Sequence, residues 1–286
     1  MPIDGYYLFA SSVAALVARV CTHPIDTIKT RLQVERTRES TWAPLLAPAA
    51  TGSLLKSLYR GLPVTLLFSV PALSVYLSCY ESTKTFLAGR AIGRESILNH
   101  LVSGCVAEIA AGTLFTPMEV MKNRLQTAQG ESGRALAKTI WREEGLRGFF
   151  RGYWMGLAVF VPHTMVYFAV YEQLKLNVFG SLPDNDASHL TFGAYMACSA
   201  VASAIGITIS TPLDIIKTRW QVAAGDQGMA FRTGPLDIAR QMWIQEGPRA
   251  FFSRGLLARI AWGIPTTAIS MTVFEMLKDY RRETVA

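Results

Sequence analysis

The sequence predicts an all-α membrane protein built from three similar units, and three observations support this fold class. Half of the 286 residues are hydrophobic and only 17% are charged, and the mean hydropathy of +0.25 is high for a soluble chain. A ten-residue segment that begins with proline occurs three times, and so does a shorter aromatic-acidic signature. The repeats divide the chain into residues 1–91, 92–183 and 184–286.

The proline segment carries the same chemistry in all three units. Its prolines are Pro24, Pro117 and Pro212, which lie 93 and 95 residues apart. Each proline is followed by an acidic residue, two basic residues and a glutamine at identical offsets. These residues are Asp26, Lys29, Arg31 and Gln33 in the first unit, Glu119, Lys122, Arg124 and Gln126 in the second, and Asp214, Lys217, Arg219 and Gln221 in the third.

Each unit is predicted to contain two long helices. The six helices are predicted at residues 5–33, 59–88, 97–127, 150–178, 189–222 and 254–281. Ser, Thr, Gly, Tyr and Pro interrupt their apolar runs, which is typical of helices with one face on lipid and one on a polar interior. Residues 131–144 and 234–246 are polar with helical periodicity and predict short surface helices, whereas residues 34–53 are predicted to form a loop.

The second signature closes each unit at the far end of its second helix. It consists of an aromatic residue, an acid, two spacers and a base. The three copies are Tyr80, Glu81 and Lys84; Tyr171, Glu172 and Lys175; and Phe274, Glu275 and Lys278. Six spans, an even number, place both termini on one side of a membrane.

The charges and cysteines exclude several functions. The net charge is +7, but the basic residues lie mostly at the ends of apolar segments, so we expect them to face lipid headgroups and an anionic substrate rather than nucleic acid. The cysteines Cys21, Cys79, Cys105 and Cys198 are scattered and form no CxxC pair, so we expect neither a zinc site nor a disulfide framework. The sequence contains no nucleophile-base pair, so we expect neither an enzyme nor a cofactor.

These motifs resemble the signatures of the mitochondrial carrier family. That repeat reads P-x-[DE]-x-x-[KR]-x-[KR], then Glu-Gly, then aromatic-[KR]-Gly, and the even helices close with [FY]-[DE]-x-x-[KR]. Glu144-Gly145 before Phe150-Arg151-Gly152 fits, and Glu246-Gly247 before Gly255 fits with one extra residue, whereas the first unit has Ser53-Leu54. The resemblance implies six tilted transmembrane helices around a central cavity, with short matrix surface helices. It places the protein in the mitochondrial inner membrane, with both termini towards the intermembrane space.

The resemblance also implies two alternating gates made of ion pairs. The matrix gate would pair Asp26 with Lys122, Glu119 with Lys217 and Asp214 with Lys29, braced by Gln33, Gln126 and Gln221. The cytoplasmic gate would pair Glu81 with Lys175, Glu172 with Lys278 and Glu275 with Lys84; Tyr80 and Tyr171 can brace it, whereas Phe274 cannot. Substrate binding is expected to offset the loss of one network while the other forms. The alternative is that these charges simply face lipid headgroups at the helix ends.

The family's substrate contacts fall seven and eight residues after Gly61, Gly152 and Gly255. The matching positions are Phe68, Ser69, Val159, Phe160, Trp262 and Gly263. None of them is charged, and the aromatic rings offer a stacking surface for a planar or partly apolar substrate. The alternative is that they face lipid or pack the bundle.

Three ionisable residues at membrane depth are further candidates for substrate binding. Arg19 lies five residues before Pro24, where the ADP/ATP carrier has a substrate-binding lysine, and can bind a carboxylate or phosphate. Glu108 occupies an offset at which S-adenosylmethionine carriers also have glutamate; it can contact an ammonium or sulfonium group, or pair with Arg19. His163 can carry a proton or contact a metal, or it can be a packed core residue.

The leading prediction is an inner-membrane carrier of a small charged organic metabolite. The substrate classes are amino-acid-like compounds, carboxylates and adenosyl compounds. A metal-ion carrier like the mitoferrins, a proton leak and a non-transporting scaffold remain as alternatives. The expected partners are this substrate and membrane lipid, with cardiolipin as the candidate at the matrix-side helix ends. One three-unit bundle contains a complete pathway, so we expect a functional monomer.

Overall fold

The computed structural model describes residues 5–34, 53–89, 93, 96–127, 132–179, 192–223, 234–253 and 255–285. These residues form eleven helices and no strand, which confirms the all-α prediction. The helices are α1 (Gly5–Val34), α2 (Leu54–Leu58), α3 (Leu62–Ala88), α4 (Ile97–Thr127), α5 (Gly133–Glu143), α6 (Gly145–Phe149), α7 (Tyr153–Phe179), α8 (Phe192–Val222), α9 (Pro235–Gln245), α10 (Ala250–Ser253) and α11 (Leu256–Val285).

Six of these helices are long, as the sequence predicts. Helices α1, α3, α4, α7, α8 and α11 contain 27 to 31 residues each. At about 1.5 Å per residue, each is longer than the roughly 30 Å hydrocarbon core of a bilayer. Five of them, all except α1, are long and apolar enough to cross a membrane. The motif prolines Pro24, Pro117 and Pro212 lie inside α1, α4 and α8, which continue through them.

Three glycines in the left-handed region set the starts of α3, α7 and α11. Gly61, Gly152 and Gly255 have φ values of +84°, +87° and +77°, which glycine adopts without the steric cost of a Cβ atom. Each glycine separates a short helix from the long helix that follows it. The predicted starts at residues 59, 150 and 254 were therefore two or three residues too early.

Short helices pack beneath the ends of α4 and α8. Leu136 and Ile140 of α5 form a buried cluster with Val120, Met121 and Leu125 of α4. On α9, a matching pair of apolar residues packs against α8. Both helices lie where the sequence predicts surface helices. The predicted loop at residues 34–53 and the linkers at residues 89–95 and 180–187 lie largely or wholly outside the described residues.

The most extensive helix contacts cross the unit boundaries. Helix α3 packs on α4, α7 packs on α8, and α11 packs back on α1, which closes the six helices into a ring. Small residues permit close approach, because Ala10, Ala14 and Ala18 of α1 form a buried stripe four residues apart. Large apolar side chains such as Leu67 and Trp154, 72% and 70% exposed, lie on the outer surface, where lipid would cover them.

We expect Gly152→Ala to destabilise the protein more than Gly145→Ala. Both glycines have positive φ values, so an added Cβ strains both backbones, at a cost of about 1–2 kcal/mol. Only at Gly152 would the new Cβ also lie 3.1 Å from Nε2 of Gln221, whereas at Gly145 it meets nothing within 4 Å. Thermal unfolding of both variants in detergent measures the difference, and equal losses would contradict the close packing at Gly152.

Candidate substrate cavity and ion-pair network

A cavity of about 260 Å³ lies inside the ring of helices. Four basic and three acidic side chains line it, together with aromatic and small residues. The charged residues are Arg19, Lys29, Lys122, Lys217, Asp26, Glu108 and Glu119. The aromatic residues are Phe115, Tyr153 and Trp262. The cavity is therefore polar and carries both signs of charge between the long helices.

Three ion pairs close one end of this cavity. Nζ of Lys122 lies 2.8 Å from Oδ2 of Asp26, and Nζ of Lys217 lies 2.5 Å from Oε2 of Glu119. The third pair, Lys29 with Asp214, has an Nζ–Oδ2 distance of 3.4 Å. The pairs join α1 to α4, α4 to α8 and α8 to α1. Mutual pairing offsets part of the desolvation cost of these mostly buried charges.

Three buried glutamines brace these pairs. Nε2 of Gln33 donates to Oδ2 of Asp214 at 2.8 Å. Gln221 donates to Oε2 of Glu119 at 3.3 Å, and Gln126 donates to Asp26 at 3.4 Å. Each glutamine comes from the helix that supplies the lysine and bonds the acid on the neighbouring helix. We refer to the three ion pairs with their glutamines as the motif network.

The motif network is asymmetric at Asp214. Nε of Arg259, from α11, lies 3.4 Å from the same Oδ2 atom that Lys29 contacts. Arg259 lies four residues after Gly255, and the equivalent positions in the other units are Thr65 and Gly156. Asp214 therefore faces two cations, whereas each of the other two acids has one lysine as its ion-pair partner in the described part of the chain.

A layer of arginines below the motif network was not assigned a role from the sequence. The second basic residue of each unit donates from Nε to the backbone carbonyl of a glutamine brace on a neighbouring helix. These bonds are Arg31 to Gln126 at 3.0 Å, Arg124 to Gln221 at 2.9 Å and Arg219 to Gln33 at 2.7 Å. The Lys-x-Arg spacing, which recurs in all three copies, was the sequence signal that could have predicted these arginine contacts.

The arginines also tie α4 and α8 to the segments that follow their surface helices. Arg124 forms a bidentate pair with Glu144, and Arg219 forms one with Glu246. The first unit lacks the corresponding glutamate, and Arg31 instead donates to the hydroxyl and the carbonyl of Ser57 at 2.7 and 3.2 Å. Within the described residues, a neutral contact with Ser57 thus stands where the other two units have a glutamate.

Arg19, Glu108 and Trp262 are the predicted substrate contacts that line the cavity. Within the described residues, neither Arg19 nor Glu108 takes part in an ion pair. Oε1 of Glu108 and Nζ of Lys217 lie 3.8 and 3.7 Å from the point that a Cβ on Gly156 would occupy. The missing side chain at Gly156 therefore leaves room for both charged groups. Nζ of Lys29 lies 5.2 Å from the ring centroid of Trp262.

The other predicted substrate contacts are not among the residues that line this cavity. They are Phe68, Ser69, Val159, Phe160, His163 and Gly263. The ring of Phe160 reaches within 3.1 Å of the Cβ position of Gly104, and Nδ1 of His163 lies 2.9 Å from that of Gly206. Glycines on adjacent helices accept both rings, so these two side chains occupy helix contacts. Their role in binding stays a prediction.

The predicted cytoplasmic gate falls partly outside the described structure. The side chains of Lys175, Glu275 and Lys278 are not described, so all three predicted pairs stay predictions. Of the predicted braces, the hydroxyl of Tyr80 lies 2.5 Å from Nδ1 of His100, on α4. The ring of Tyr171 stacks on Tyr167, with a centroid distance of 5.8 Å.

We expect Lys122→Ala to destabilise the protein more than Lys29→Ala. Loss of Lys122 leaves Asp26 with the long bond from Gln126, and a buried charge without its partner costs about 3–5 kcal/mol. Loss of Lys29 still leaves Arg259 and Gln33 on Asp214.

Thermal unfolding of the two lysine variants measures this difference. The double variant Lys29→Ala/Arg259→Ala serves as the control and should lose as much stability as Lys122→Ala. If Lys29→Ala alone were as costly as Lys122→Ala, Arg259 would not compensate for the lost lysine.

Comparison with known proteins agrees with this geometry. The family model described as mitochondrial carrier protein matches residues 5–91, 93–182 and 188–284. An uncharacterised mitochondrial carrier of Schizosaccharomyces pombe is 36% identical, covering 97% of this chain and 98% of its own. A mitoferrin of Caenorhabditis briggsae is 30% identical over 95% of this chain and 90% of its own. An S-adenosylmethionine carrier of Arabidopsis thaliana is 32% identical over 88% and 72%.

The resemblance inferred from the sequence motifs is thus confirmed. Members of this family are transporters rather than enzymes. The chain belongs to the mitochondrial carrier family and is a multi-pass transporter of the mitochondrial inner membrane.

Proposed function

We propose that this carrier moves a small organic metabolite with both an anionic and a cationic group, such as an amino-acid-like or adenosyl compound. The supporting observation is that Arg19 and Glu108 both line the cavity. Among the described residues, these two opposite charges form no ion pair. A substrate with complementary charges would neutralise both of them. Carboxylates without a cationic group form a broader class that Arg19 alone would recognise.

Each cavity residue has a distinct part in this recognition. The planar guanidinium of Arg19 can donate two parallel hydrogen bonds to a carboxylate or phosphate. The carboxylate of Glu108 can accept hydrogen bonds from an ammonium group or face a sulfonium. The ring of Trp262 supplies a flat apolar surface for a planar substrate group.

The motif network forms the closed gate of the proposed cycle. With its three pairs formed, we infer that the cavity is closed towards the matrix and opens to the opposite side. A ligand can shift such an equilibrium only by its differential affinity for the two states. A substrate carboxylate near Lys217 would compete with Glu119 for that lysine, and this competition links occupancy of the cavity to opening of the network.

A divalent metal ion is the second candidate substrate, because three of the relatives are named mitoferrins and are 29% to 30% identical to this chain. Glu108 is the acid that could receive such an ion outside the ion pairs. The described part of the chain contains no group of three or more His, Cys, Asp or Glu side chains that could hold a metal. Arg19 in the same cavity would repel a cation. The organic substrate therefore fits these residues better.

We expect Arg19→Ala and Glu108→Gln each to lower substrate uptake into liposomes by about tenfold or more, since each removes a charged hydrogen-bonding group. Arg142→Ala and Glu143→Gln, two exposed residues on α5, are matched controls and should transport at the wild-type rate. Wild-type uptake by both cavity variants would contradict the proposed site.

A thermal-shift screen identifies the substrate class for that assay. The purified carrier is tested with amino acids, carboxylates, adenosyl compounds and divalent metals, because a bound ligand raises apparent stability. We expect stabilisation by compounds that carry both charge signs, and its loss in Arg19→Ala. Stabilisation by metals alone, kept in Arg19→Ala but lost in Glu108→Gln, would favour the metal carrier instead.

A further inference from the structure

The three glutamine braces of the motif network differ in how their side-chain carbonyl oxygens are bonded. Oε1 of Gln221 accepts a hydrogen bond from Nδ2 of Asn123 at 2.7 Å. Oε1 of Gln33 accepts one from the hydroxyl of Thr218 at 3.2 Å. Oε1 of Gln126 is also buried, but within the described residues it has no hydrogen-bond partner. One of three otherwise matching braces therefore lacks a bond.

The two donors occupy the same position in their units. Asn123 and Thr218 each stand between the two basic residues, four residues after the acid of the ion pair. Residues four apart lie on one face of a helix. Each complete brace therefore bridges two consecutive turns of the neighbouring helix: its amide N–H donates to the acid, and its oxygen accepts from the residue one turn later.

Thr30 occupies this position in the first unit, but its hydroxyl points elsewhere. It donates to the backbone carbonyl of Asp26, on its own helix, at 3.0 Å. Nε2 of Gln126 is shared between Oδ2 of Asp26, at 3.4 Å, and the hydroxyl of Thr27, at 3.1 Å. The bond from Gln126 to the acid is the longest of the three brace bonds.

A bond to the carbonyl oxygen matters because it fixes the rotation of the amide. Turning the Gln33 amide over would place its oxygen against the Asp214 carboxylate and its N–H groups against the donor Thr218. A brace held on both sides thus presents its N–H to the acid in one orientation. A buried acceptor without a partner is also a direct cost to the folded state.

We propose that the residue between the two bases of each unit is a positioning residue that holds the glutamine brace of the motif network. The ion pair between Asp26 and Lys122, whose glutamine brace lacks this donor, is the least supported of the three pairs. This positioning role does not depend on which substrate the protein transports. Its consequence for closing the cavity rests on the proposed function.

The first test compares Thr218→Val with Thr30→Val. Both changes remove a buried hydroxyl at equivalent positions with almost no change of shape. Thr218→Val should lower the melting temperature by about 2–4 °C, because it leaves Oε1 of Gln33 without a donor. Thr30→Val should cost less than half of that. Equal losses would overturn the proposal.

A double-variant cycle separates positioning from a general packing role. In a Gln33→Ala background, Thr218→Val should cost little further stability, because the brace it holds is already absent. A full additive loss would show that Thr218 acts by packing alone and would overturn the proposal. Gln126→Ala should likewise cost less stability than Gln33→Ala or Gln221→Ala. An equal or larger loss of stability would contradict the inference that the Asp26–Lys122 pair is the least supported.

The consequence for the gate is measured by labelling a cysteine in the cavity. Thr116→Cys is introduced after the native cysteines are replaced by serine, and inside-out inner-membrane vesicles receive a membrane-impermeant thiol reagent. Thr218→Val and Gln33→Ala should each raise the labelling rate, whereas Thr30→Val should not. If Thr218→Val left labelling unchanged while Gln33→Ala raised it, the positioning role would be refuted. If Lys122→Ala left the labelling rate unchanged, the proposed gate would be refuted. The positioning role would then still be tested by the double-variant cycle of stability measurements.

Discussion

The structure depends on three largely buried ion pairs that join α1, α4 and α8 in a ring. The spacing of the acid and the base explains why one short motif can close this ring. Residues three apart on a helix with 3.6 residues per turn differ in direction by about 60°, which is the interior angle of an equilateral triangle. Each helix can therefore offer its acid to one neighbour and its lysine to the other. Because every unit has the same three-residue spacing, the three ion pairs occupy equivalent backbone positions.

Side chains that break this equivalence supply the specific chemistry of the cavity. At the position four residues after the positive-φ glycine, the three units carry Thr65, Gly156 and Arg259. The glycine leaves space where Glu108 and Lys217 approach each other, and the arginine adds a second cation to Asp214. A small substrate has no three-fold symmetry, so a site that recognises it must depart from the symmetry of the bundle. Arg19 and Glu108 have no charged equivalent in the other units among the cavity-lining residues, and in the proposed function they form such a site.

The sequence predicted the elements, but it did not determine which way each helix face points. The six long helices and two surface helices followed from repetition and periodicity. The pairing of acids and lysines in the motif network followed from the resemblance to the mitochondrial carrier family, and the ion pairs have the geometry that this resemblance implies. Phe160 and His163 occupy helix contacts because Gly104 and Gly206, on other helices, accept their rings. An apolar helix face can contact lipid, a neighbouring helix or a cavity. A single sequence does not show which of these three a given face contacts.

In the proposed cycle, the motif network also sets a condition on transport. Its charges are mostly buried and bonded to one another, so opening must separate pairs that remain costly until water or new partners reach them. A small metabolite offers few contacts, and it can offset only part of this cost. It shifts the equilibrium most where it contacts a charge that already belongs to an ion pair. Lys217 is such a charge: it pairs with Glu119 and lies near Glu108, which forms no ion pair within the described residues. An empty cavity provides no such competitor, and the braced network then keeps the closed state favoured. In the proposed cycle, coupling between substrate binding and opening follows because Arg19 and Glu108 share one cavity with ion-paired residues such as Lys122 and Lys217.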